Sequence, residues 1–212
     1  MKVSEIFYSI QGESTHAGRP CAFIRLAGCD LRCSYCDTEY ARTGGTEMSV
    51  PGILRAVAAY PTRLALVTGG EPMLQASVHD LFAALLERSY TVLLETGGHR
   101  PLGGVDPRVC KIMDFKCPSS GMADRNLYEN IRFLTPRDEL KFVVSDREDF
   151  DWACGLIRRH RDALRVGSIL VSPVGGTVPP DTLAGWILEC GLDVRLQLQL
   201  HRILWPGIDR GA

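Results

Sequence analysis

Three cysteines are closely spaced in the segment Cys29-Asp-Leu-Arg-Cys33-Ser-Tyr-Cys36. A cubane [4Fe-4S] cluster has four irons and is usually held by four thiolates. A loop with only three thiolates leaves one iron without a protein ligand, and an open iron can bind a small molecule and pass it an electron. The alternatives are a structural zinc site or three unrelated thiols. A zinc site usually takes further ligands from a second paired cluster. Because the sequence has no second C-x2-C pair, the spacing favours an iron–sulfur cluster.

A glycine-rich segment, Thr68-Gly-Gly-Glu-Pro72, comes directly after an apolar run that we predict to be a strand. Glycines at the carboxyl end of a parallel strand let the backbone approach a ligand closely. Taken alone, such a segment is a turn about as often as it is a binding loop. The cysteine triplet upstream favours the binding loop.

Three other places carry polar groups that suit a ligand. Asp37 and Thr38 follow the last cysteine, where they would lie beside the open iron, or where Thr38 would cap a helix. The turn Gln11-Gly12-Glu13 suits the guanidine-like edge of a heterocycle, although from composition alone a solvated turn is favoured. Arg25 lies within an apolar strand and needs an anionic partner, which is either a protein group or a ligand carboxylate.

Further polar residues end or open predicted strands, as they do on the active face of barrel-like folds. They are Glu95-Thr96-Gly97-Gly98, Asp114-Phe-Lys116 and Lys141. Lys116 and Lys141 are otherwise ordinary, since isolated lysines are usually solvated. We interpret the histidines that show no partner spacing as structural or exposed: His16, His79, His99 and His160.

The composition is that of an ordinary globular protein, with 212 residues, 45% of them hydrophobic and 23% charged, and a net charge of −1. We expect a single domain over residues 1–212 with a full core. The charge balance predicts binding to neither nucleic acid nor a membrane surface. No segment reads as a signal peptide or a membrane span. We therefore expect a cytoplasmic protein whose eight cysteines stay reduced.

Apolar, β-rich runs alternate with helical patterns. The predicted strands are Ala22–Leu26, Leu64–Thr68, Thr91–Glu95, Lys111–Phe115, Leu140–Val144, Ile169–Ser172 and Val194–Leu200. Helices are predicted after Ser77 as a possible N-cap, around Phe150–Ile157, and from Pro180 to a stop at Gly191. The alternation implies a parallel sheet with crossover helices, and the chain is too short for a complete eight-unit barrel. The expected fold is α/β, a partial, open (β/α) barrel with reduced helical content.

The predicted last strand, Val194–Leu200, alternates strictly between apolar and polar residues. Its polar row is Arg195, Gln197 and Gln199, and His201 continues the row if the strand persists. Parallel sheets are usually buried on both faces, so the polar row is expected to line the barrel interior around a polar ligand. The alternative is an edge strand whose polar row faces solvent.

Seven motifs occur in order: Ser9-Ile-Gln-Gly-Glu13, the cysteine triplet with Asp-Thr38, Thr68-Gly-Gly-Glu-Pro72, Glu95-Thr96, Asp114-x-Lys116-x-Pro118-x-Ser120-Gly121, Lys141-Phe-Val-Val144 and Gln199-Leu-His201. The set resembles the 7-carboxy-7-deazaguanine synthase family of radical S-adenosylmethionine (SAM) enzymes, over nearly the whole chain. The resemblance implies a dimeric partial barrel of the radical SAM type. It also implies a lyase that converts 6-carboxy-5,6,7,8-tetrahydropterin to 7-carboxy-7-deazaguanine with loss of ammonia, in queuosine precursor biosynthesis.

The resemblance implies roles for particular residues. Cys29, Cys33 and Cys36 would hold the cluster, and Thr38 would ligate a Mg²⁺ ion that also binds the substrate carboxylate. The residues implied to contact SAM are Tyr35, Asp37, Gly69, Gly70, Glu71, Gly98 and Ser145. The residues implied to contact the pterin are Ile10, Gln11, Gly12, Glu13, Arg25, Thr96, Gln199 and His201.

A flavodoxin or ferredoxin-type electron donor is also implied. Two departures from the family pattern are mild: Ser14 stands where Gly is frequent, and Arg202 where Lys is common. The C-terminal segment Ile208–Ala212 is a weaker candidate for a segment that closes over the substrate. Two other classes stay open at this point. A glycyl-radical activating enzyme would need an open face to dock a protein substrate, and a non-catalytic metal-binding module would hold zinc in place of iron.

Overall fold

The structure is a computed structural model that describes residues 1–208, 210 and 211. Within these residues the chain forms nine strands and five α-helices. In chain order they are β1 (Lys2–Ile10), β2 (Pro20–Leu26), β3 (Thr46–Glu47), α1 (Val50–Ala58), β4 (Leu64–Gly69), α2 (Val78–Glu87), β5 (Thr91–Thr96), β6 (Cys110–Phe115), β7 (Glu139–Val144), α3 (Arg147–His160), β8 (Ser168–Pro173), α4 (Pro180–Cys190), β9 (Arg195–Leu196) and α5 (Leu200–Leu204).

All the described strands belong to one sheet in the order β3-β1-β2-β4-β5-β6-β7-β8-β9. β1 pairs antiparallel with β2 and β3, and every neighbouring pair from β2 to β9 is parallel. The short edge strands β3 and β9 are not neighbours, so the sheet stays open. The predicted α/β fold, an open partial barrel, is confirmed.

The outer face of the sheet carries the main hydrophobic core, against which the helices pack. α2 buries Val78, Leu81, Phe82 and Leu85, which is the stripe that its sequence periodicity predicts. Ser77 is its N-cap residue, as expected, but the Ser77 hydroxyl makes no capping hydrogen bond. No helix of the described part of the chain is long and apolar enough to cross a membrane.

The inner face of the sheet changes character along the strands. Near the amino ends it is filled by a small apolar cluster: Cys21, Phe23, Leu64, Leu66, Leu93 and Ile112. Two residues further along the same strands, and therefore on the same face, stand Arg25, Thr68, Glu95 and Asp114. The interior is thus packed at the amino ends and polar at the carboxyl ends, where open α/β sheets bind ligands.

The prediction of a long last strand over Val194–Leu200 is wrong. β9 covers only Arg195 and Leu196, both exposed, and Leu200 is the first residue of α5. The chain leaves the sheet because the Leu200 backbone N–H donates to Gly12 O at 3.0 Å, on the turn after β1. Gln197 is still buried, whereas Arg195 does not line the interior.

Candidate active site

The carboxyl ends of the strands bring a row of polar side chains together on the inner face. Arg25 of β2 is paired in register with Thr68 of β4, and Asp114 of β6 is paired with Lys141 of β7. Glu95 of β5 lies between these pairs, since the Thr68 hydroxyl donates to Glu95 Oε2 at 2.9 Å. The polar residues at the predicted strand ends therefore lie close together on one face of the sheet, and their role as an active face stays a prediction.

Lys141 lies at the centre of this row. Its ammonium group donates to Glu13 Oε2 and, at 2.9 Å, to Glu95 Oε1. Gln199 Nε2 donates to the other oxygen of Glu13 at 2.7 Å. Residues separated by 128 and 186 positions in the chain therefore meet at one carboxylate. The Glu13 side chain is held by protein contacts and is not a freely solvated turn residue.

The charges in this network stabilise one another. Burial alone would raise the pKa of Glu95, but the Lys141 charge and the hydrogen bonds from Lys141 and Thr68 outweigh burial, so this pKa lies below its usual range. Burial alone would lower the pKa of Lys141, whereas the charges of Glu13 and Glu95 raise it well above its usual range. Glu95 and Lys141 are both ionised near neutral pH.

Several polar atoms on the inner face are buried without a partner. Among the described residues they are Asp114 Oδ1, Glu139 Oε2 and Ser172 Oγ. Buried polar groups in proteins almost always have a hydrogen-bond partner, so each exception needs an explanation. Glu139 lies at the amino end of β7, whereas Asp114 and Ser172 lie near the carboxyl ends of β6 and β8, where their free atoms are consistent with an interior that receives a polar ligand.

The cysteine loop follows β2 and is held by contacts to its backbone. Arg32 donates to Cys29 O at 2.9 Å, and Arg42 donates to Cys33 O at 3.1 Å. The Ser34 N–H donates to Ser120 O at 3.1 Å, which ties the loop to the segment after β6. The thiols of Cys29, Cys33 and Cys36 are all free and partly exposed.

The donor set of this loop fits a metal cluster. Burial raises the pKa of the Cys29 and Cys33 thiols, so these thiolates need a nearby positive charge, which a bound metal supplies. Among the described residues, no three Cys, His, Asp or Glu side chains are already gathered around an ion-sized space. The three free thiols are the type of ligand that an iron–sulfur cluster takes.

The Gly69–Glu71 loop packs directly on the cysteine loop. The Gly70 N–H donates to Leu26 O at 3.0 Å, and the Glu71 N–H donates to Gly28 O at 2.8 Å. Gly69 has φ +133°, and a Cβ on Gly70 would lie 2.1 Å from Gly28 O. Both positions therefore need glycine, one for its backbone conformation and the other for close approach.

The Glu71 side chain is turned into the protein. Its oxygens accept hydrogen bonds from the Thr96 hydroxyl at 2.8 Å, the Gly97 N–H at 2.9 Å and the Met73 N–H at 3.0 Å. The Thr96 hydroxyl also accepts from the Gly98 N–H at 3.2 Å. The end of β5 is thereby attached to the Gly69–Glu71 loop.

Two further predicted SAM contacts lie where β7 meets α3. The Tyr35 hydroxyl donates to Val143 O at 3.1 Å, and burial raises the pKa of this phenol above its usual range. The Ser145 N–H donates to Asp149 Oδ2 at 2.9 Å, and Asp149 Oδ1 accepts from the Ser119 N–H at 3.0 Å. Asp149 thus joins the end of β7 to the segment that contacts the cysteine loop.

Thr38 and Asp37 contact each other beside the last cysteine. Thr38 is the residue before a short 3₁₀-helix, Glu39–Ala41, but its side chain makes no capping bond and instead donates to Asp37 Oδ1 at 2.8 Å. Burial would raise the pKa of Asp37, but the Thr38 hydrogen bond and the charges of Lys141, Arg202 and Arg25 lower it overall. The capping interpretation of Thr38 therefore has no hydrogen bond to support it.

The turn after β1 contacts the C-terminal helix. A Cβ on Gly12 would lie 2.3 Å from His201 Nδ1, so glycine is needed there for close packing. Gln11 is buried, and its Oε1 accepts from the Glu13 N–H at 3.3 Å. Ile10 lines a surface groove of about 380 Å³ together with Trp205 and Ile208.

Ser14 has φ +68° and is buried. This left-handed conformation favours glycine, which gives a physical reason for the frequent Gly expected at this position. The Ser14 hydroxyl compensates in part, because it accepts from the His16 N–H at 3.0 Å. The proposed closing segment Ile208–Ala212 includes positions 209 and 212, which lie outside the described residues.

Arg25 has a protein partner. Its Nε donates to Glu5 Oε1 at 2.7 Å, and the Tyr40 hydroxyl donates to the same oxygen at 2.7 Å. The guanidinium also lies over the Phe7 ring, 5.7 Å from its centroid. A protein carboxylate therefore satisfies the Nε of Arg25, as the structural alternative predicts. The Arg25 side chain still faces the polar row.

Sequence reasoning placed Glu95 and Lys141 at strand ends but gave neither of them a partner or a role. The structure supplies the partners, since the Lys141 ammonium group contacts both Glu13 and Glu95. His99 read as structural or exposed, but it is buried and contacts both Asp30 of the cysteine loop and Glu71. A regular short-range spacing does not exist for any of these contacts, since the partners are 28 to 128 residues apart.

Comparison with known proteins gives the class. The family model described as "Radical SAM superfamily" matches residues 23–183. The fold is similar to that of QueE from Escherichia coli, with a TM-score of 0.77 and 22% identity over 93% of each chain. It is also similar to Streptococcus suis SuiB bound to S-adenosylmethionine, with a TM-score of 0.59 and 11% identity over 84% of this chain and 50% of that one. The fold and the cysteine loop define a radical SAM enzyme.

Full-length relatives narrow the assignment. A 7-carboxy-7-deazaguanine synthase of Chlorobaculum tepidum is 47% identical and covers 100% of this chain and 97% of its own. One of Koribacter versatilis is 43% identical over 100% of both chains. Within the superfamily, the chain therefore belongs to the 7-carboxy-7-deazaguanine synthase family.

Proposed function

We propose that the chain converts 6-carboxy-5,6,7,8-tetrahydropterin to 7-carboxy-7-deazaguanine with release of ammonia, in the queuosine and 7-deazapurine pathway. The observation that carries the proposal is the polar interior in which Glu13 is oriented by Lys141 and Gln199. The names of the full-length relatives support the same product. Substrate and product differ by one molecule of ammonia, so the overall conversion is redox-neutral and needs no further oxidant.

The cysteine loop would hold the cluster through Cys29, Cys33 and Cys36. When bound, the reduced cluster would supply the electron that cleaves SAM, and this cleavage would lead to removal of a hydrogen atom from C6 of the pterin. The chain's own residues would bind SAM and exclude water from it. The close contact between the Gly69–Glu71 loop and the cysteine loop supports a shared SAM site, completed by Tyr35, Asp37, Gly98 and Ser145.

Glu13 would recognise the guanidine-like edge of the pterin, because an ionised carboxylate offers two acceptors to adjacent N–H donors. Its contacts with Lys141 and Gln199 support this role, since they fix the carboxylate before the ligand arrives. His201 packs against Gly12 and would close the same edge. Ile10, Gln11, Arg25 and Thr96 would complete the pterin site, with Arg25 sharing the carboxylate charge.

Thr38 would ligate Mg²⁺ together with the substrate carboxylate. Mg²⁺ prefers oxygen ligands in octahedral geometry and keeps few protein ligands. A threonine hydroxyl at the start of a short helix that makes no capping bond is consistent with this use. The ion would hold the pterin while its ring contracts and one nitrogen leaves as ammonia.

The direct test is anaerobic incubation of cluster-reconstituted protein with SAM, a reductant, Mg²⁺ and the carboxytetrahydropterin. Mass spectrometry should detect 7-carboxy-7-deazaguanine, and its formation should depend on SAM and reductant. Glu13→Gln should retain SAM cleavage and lose most pterin turnover, whereas Cys33→Ala should lose both. SAM cleavage by the wild-type protein without formation of the deazaguanine would redirect the assignment to another radical SAM reaction.

The active form is proposed to be a homodimer reduced by a flavodoxin or ferredoxin-type protein. α5 and the segment that follows it leave three large apolar side chains largely exposed, Ile203, Leu204 and Ile208. Exposed apolar groups that lie close together often mark a protein interface. This surface supports a second copy of the chain as the covering partner.

A further inference from the structure

His99 lies between the two loops that bracket the proposed SAM site. Its Nε2 is 2.6 Å from Asp30 Oδ1, in the cysteine loop, and its Nδ1 is 3.5 Å from Glu71 Oε2. Only 1% of the His99 side chain is exposed, as is the case for Glu71. One buried imidazole therefore contacts a carboxylate from each loop.

The segment that carries His99 is itself held in place. Buried Asn130 donates through Nδ2 to Gly98 O at 2.9 Å and to Arg100 O at 2.8 Å, and its Oδ1 accepts from the Leu102 N–H at 2.9 Å. A Cβ on Gly98 would lie 2.7 Å from the Met113 side chain. These contacts fix the backbone on both sides of His99, so the imidazole has a defined position against the sheet.

Asp30 anchors the cysteine loop through side chains and not through the main chain. Besides His99, its carboxylate pairs with Arg100, and Arg125 lies 3.7 Å away. Asp30 directly follows Cys29. His99 and Arg100, both in the segment after β5, therefore hold the residue next to the first cluster ligand.

The second imidazole nitrogen is one contact short. Nδ1 of His99 is buried and has no hydrogen-bond partner among the described residues, although Glu71 lies just beyond hydrogen-bonding distance. A packing histidine would normally have both nitrogens satisfied. A small approach of the Gly69–Glu71 loop would complete the contact.

We propose that His99 is a positioning residue that couples the cysteine loop to the Gly69–Glu71 loop through the Asp30–His99–Glu71 contact. The two loops then move as one unit when SAM engages the Gly69–Glu71 loop. The inference rests on the radical SAM assignment and does not depend on the identity of the pterin.

The first test uses metal-free protein, so it needs no enzymatic activity. Hydrogen exchange is measured at the Gly28, Ser34, Gly70 and Glu71 amides, all of which donate hydrogen bonds that hold these two loops in place. His99→Leu removes both nitrogens at similar volume and should accelerate exchange at these amides about tenfold. His99→Gln keeps an N–H that can reach Asp30 and should restore most of the protection. His79→Leu, on α2, is the matched histidine control.

The second test uses the reconstituted enzyme. His99→Leu should raise the KM for SAM about tenfold, leave the KM for the pterin unchanged, and alter the electron paramagnetic resonance spectrum of the reduced cluster on SAM addition. Asp30→Asn combined with His99→Leu should cost less than the sum of the two single changes, since both remove the Asp30–His99 contact and only Asp30→Asn also weakens the Arg100 pair. If His99→Leu does not fold, Asp30→Asn supplies the same measurements.

The proposal is overturned if folded His99→Leu protein keeps wild-type exchange in both loops and a wild-type KM for SAM. It is also overturned if exchange accelerates equally throughout the sheet with an unchanged KM for SAM, because His99 would then be only a packing residue. Additive effects of Asp30→Asn and His99→Leu would contradict the coupling as well. Absence of pterin turnover in the wild-type enzyme, with SAM binding intact, would instead count against the proposed substrate.

Discussion

At the scale of single residues, Lys141 has the most consequential environment. It is one cation between two carboxylates, with only 6% of its side chain exposed. Breaking a buried ion pair from one side is costly because it leaves the partner charge buried and uncompensated. Lys141 therefore acts on both the stability of the fold and the orientation of Glu13.

Lys141→Met should lower the free energy of unfolding by about 3 kcal/mol and weaken carboxypterin binding at least about tenfold, because Glu13 and Glu95 would repel each other. Urea unfolding and fluorescence titration with 6-carboxypterin measure the two effects. Lys141→Arg, which keeps the charge, is the control and should retain more of both. Wild-type affinity in Lys141→Met would mean that the network does not orient Glu13.

Thr38→Ala should lower Mg²⁺-dependent turnover and leave the iron content normal, because the side chain is not a cluster ligand. Thr38→Ser keeps the hydroxyl and should retain the Mg²⁺ response. The measurement is turnover as a function of Mg²⁺ concentration, beside an iron assay of each preparation. An unchanged Mg²⁺ dependence in Thr38→Ala would refute the metal-ligand role.

Sequence reasoning at this scale succeeded where residues of one site are neighbours in the chain. The three cysteines and Gly69–Glu71 are such local groups, and their chemistry follows from residue type and spacing. Glu13 and Lys141 form their contact across the whole sheet, so neither residue alone indicates the pair. The contacts of His99 were not predictable for the same reason, because its partners come from two different loops.

At the scale of elements, strand ends and loops determine the site more than helices do. The helices α2 and α3 were predictable because a buried stripe repeats along each of them. α4 was predictable from its proline start and its stop at Gly191. The end of the last strand was not predictable from its alternating pattern. The Leu200 N–H donates to Gly12 O, a long-range contact that no local pattern contains. The nine-residue helix α1 was missed, although Ser49 caps it through the Gly52 N–H at 3.2 Å.

Gly70→Ala should disrupt the junction of the two loops, because the new Cβ would lie 2.1 Å from Gly28 O and 2.9 Å from Cys29 Cβ. We expect a large loss of bound iron after reconstitution and a lower thermal midpoint. Gly155→Ala is the matched control, since nothing lies near its Cβ position in α3 and the change should stabilise the helix by about 0.5–1 kcal/mol. Normal iron content in Gly70→Ala would show that the loops can separate freely.

At the scale of the whole molecule, the interior is divided into an apolar amino end and a charged carboxyl end. This division is partly predictable from sequence. Phe23 lies two positions before Arg25 on one predicted strand, and Leu93 lies two positions before Glu95 on another. The contacts that Gln199 and α5 make with the turn after β1 were not predictable. They depend on the long-range path of the C-terminal segment.

The charged end should give a characteristic pH dependence. The pKa of Glu95 is depressed, so its contribution to stability is complete above the ordinary carboxyl value of 4.5 and is lost as the pH falls through the lower folded value. Lys141 has a raised pKa, so its contribution is complete below 10.5 and is lost only at still higher pH. Urea midpoints of the wild type and Lys141→Met should therefore converge below about pH 4.5. A constant difference down to pH 3 would contradict this linkage.

The proposed dimer is testable by light scattering. The chain has a mass of 23.4 kDa, so a homodimer should scatter with twice that mass. Ile203→Glu and Leu204→Glu together should shift the protein towards monomer, because both side chains are at least half exposed. Leu188→Glu is the control, an isolated exposed leucine on α4. A dimer that resists the α5 changes would place the interface elsewhere.

The backbone bonds from Gly70 and Glu71 to Leu26 and Gly28 have a consequence for protein engineering. The cysteine segment is not an autonomous module, since part of its shape is set by a strand end forty residues downstream. A transplant of residues 29–36 into another scaffold should fail to assemble a cluster unless the recipient supplies a glycine pair at the adjoining strand. Designers who wish to borrow this cofactor site would need to move both strand ends together.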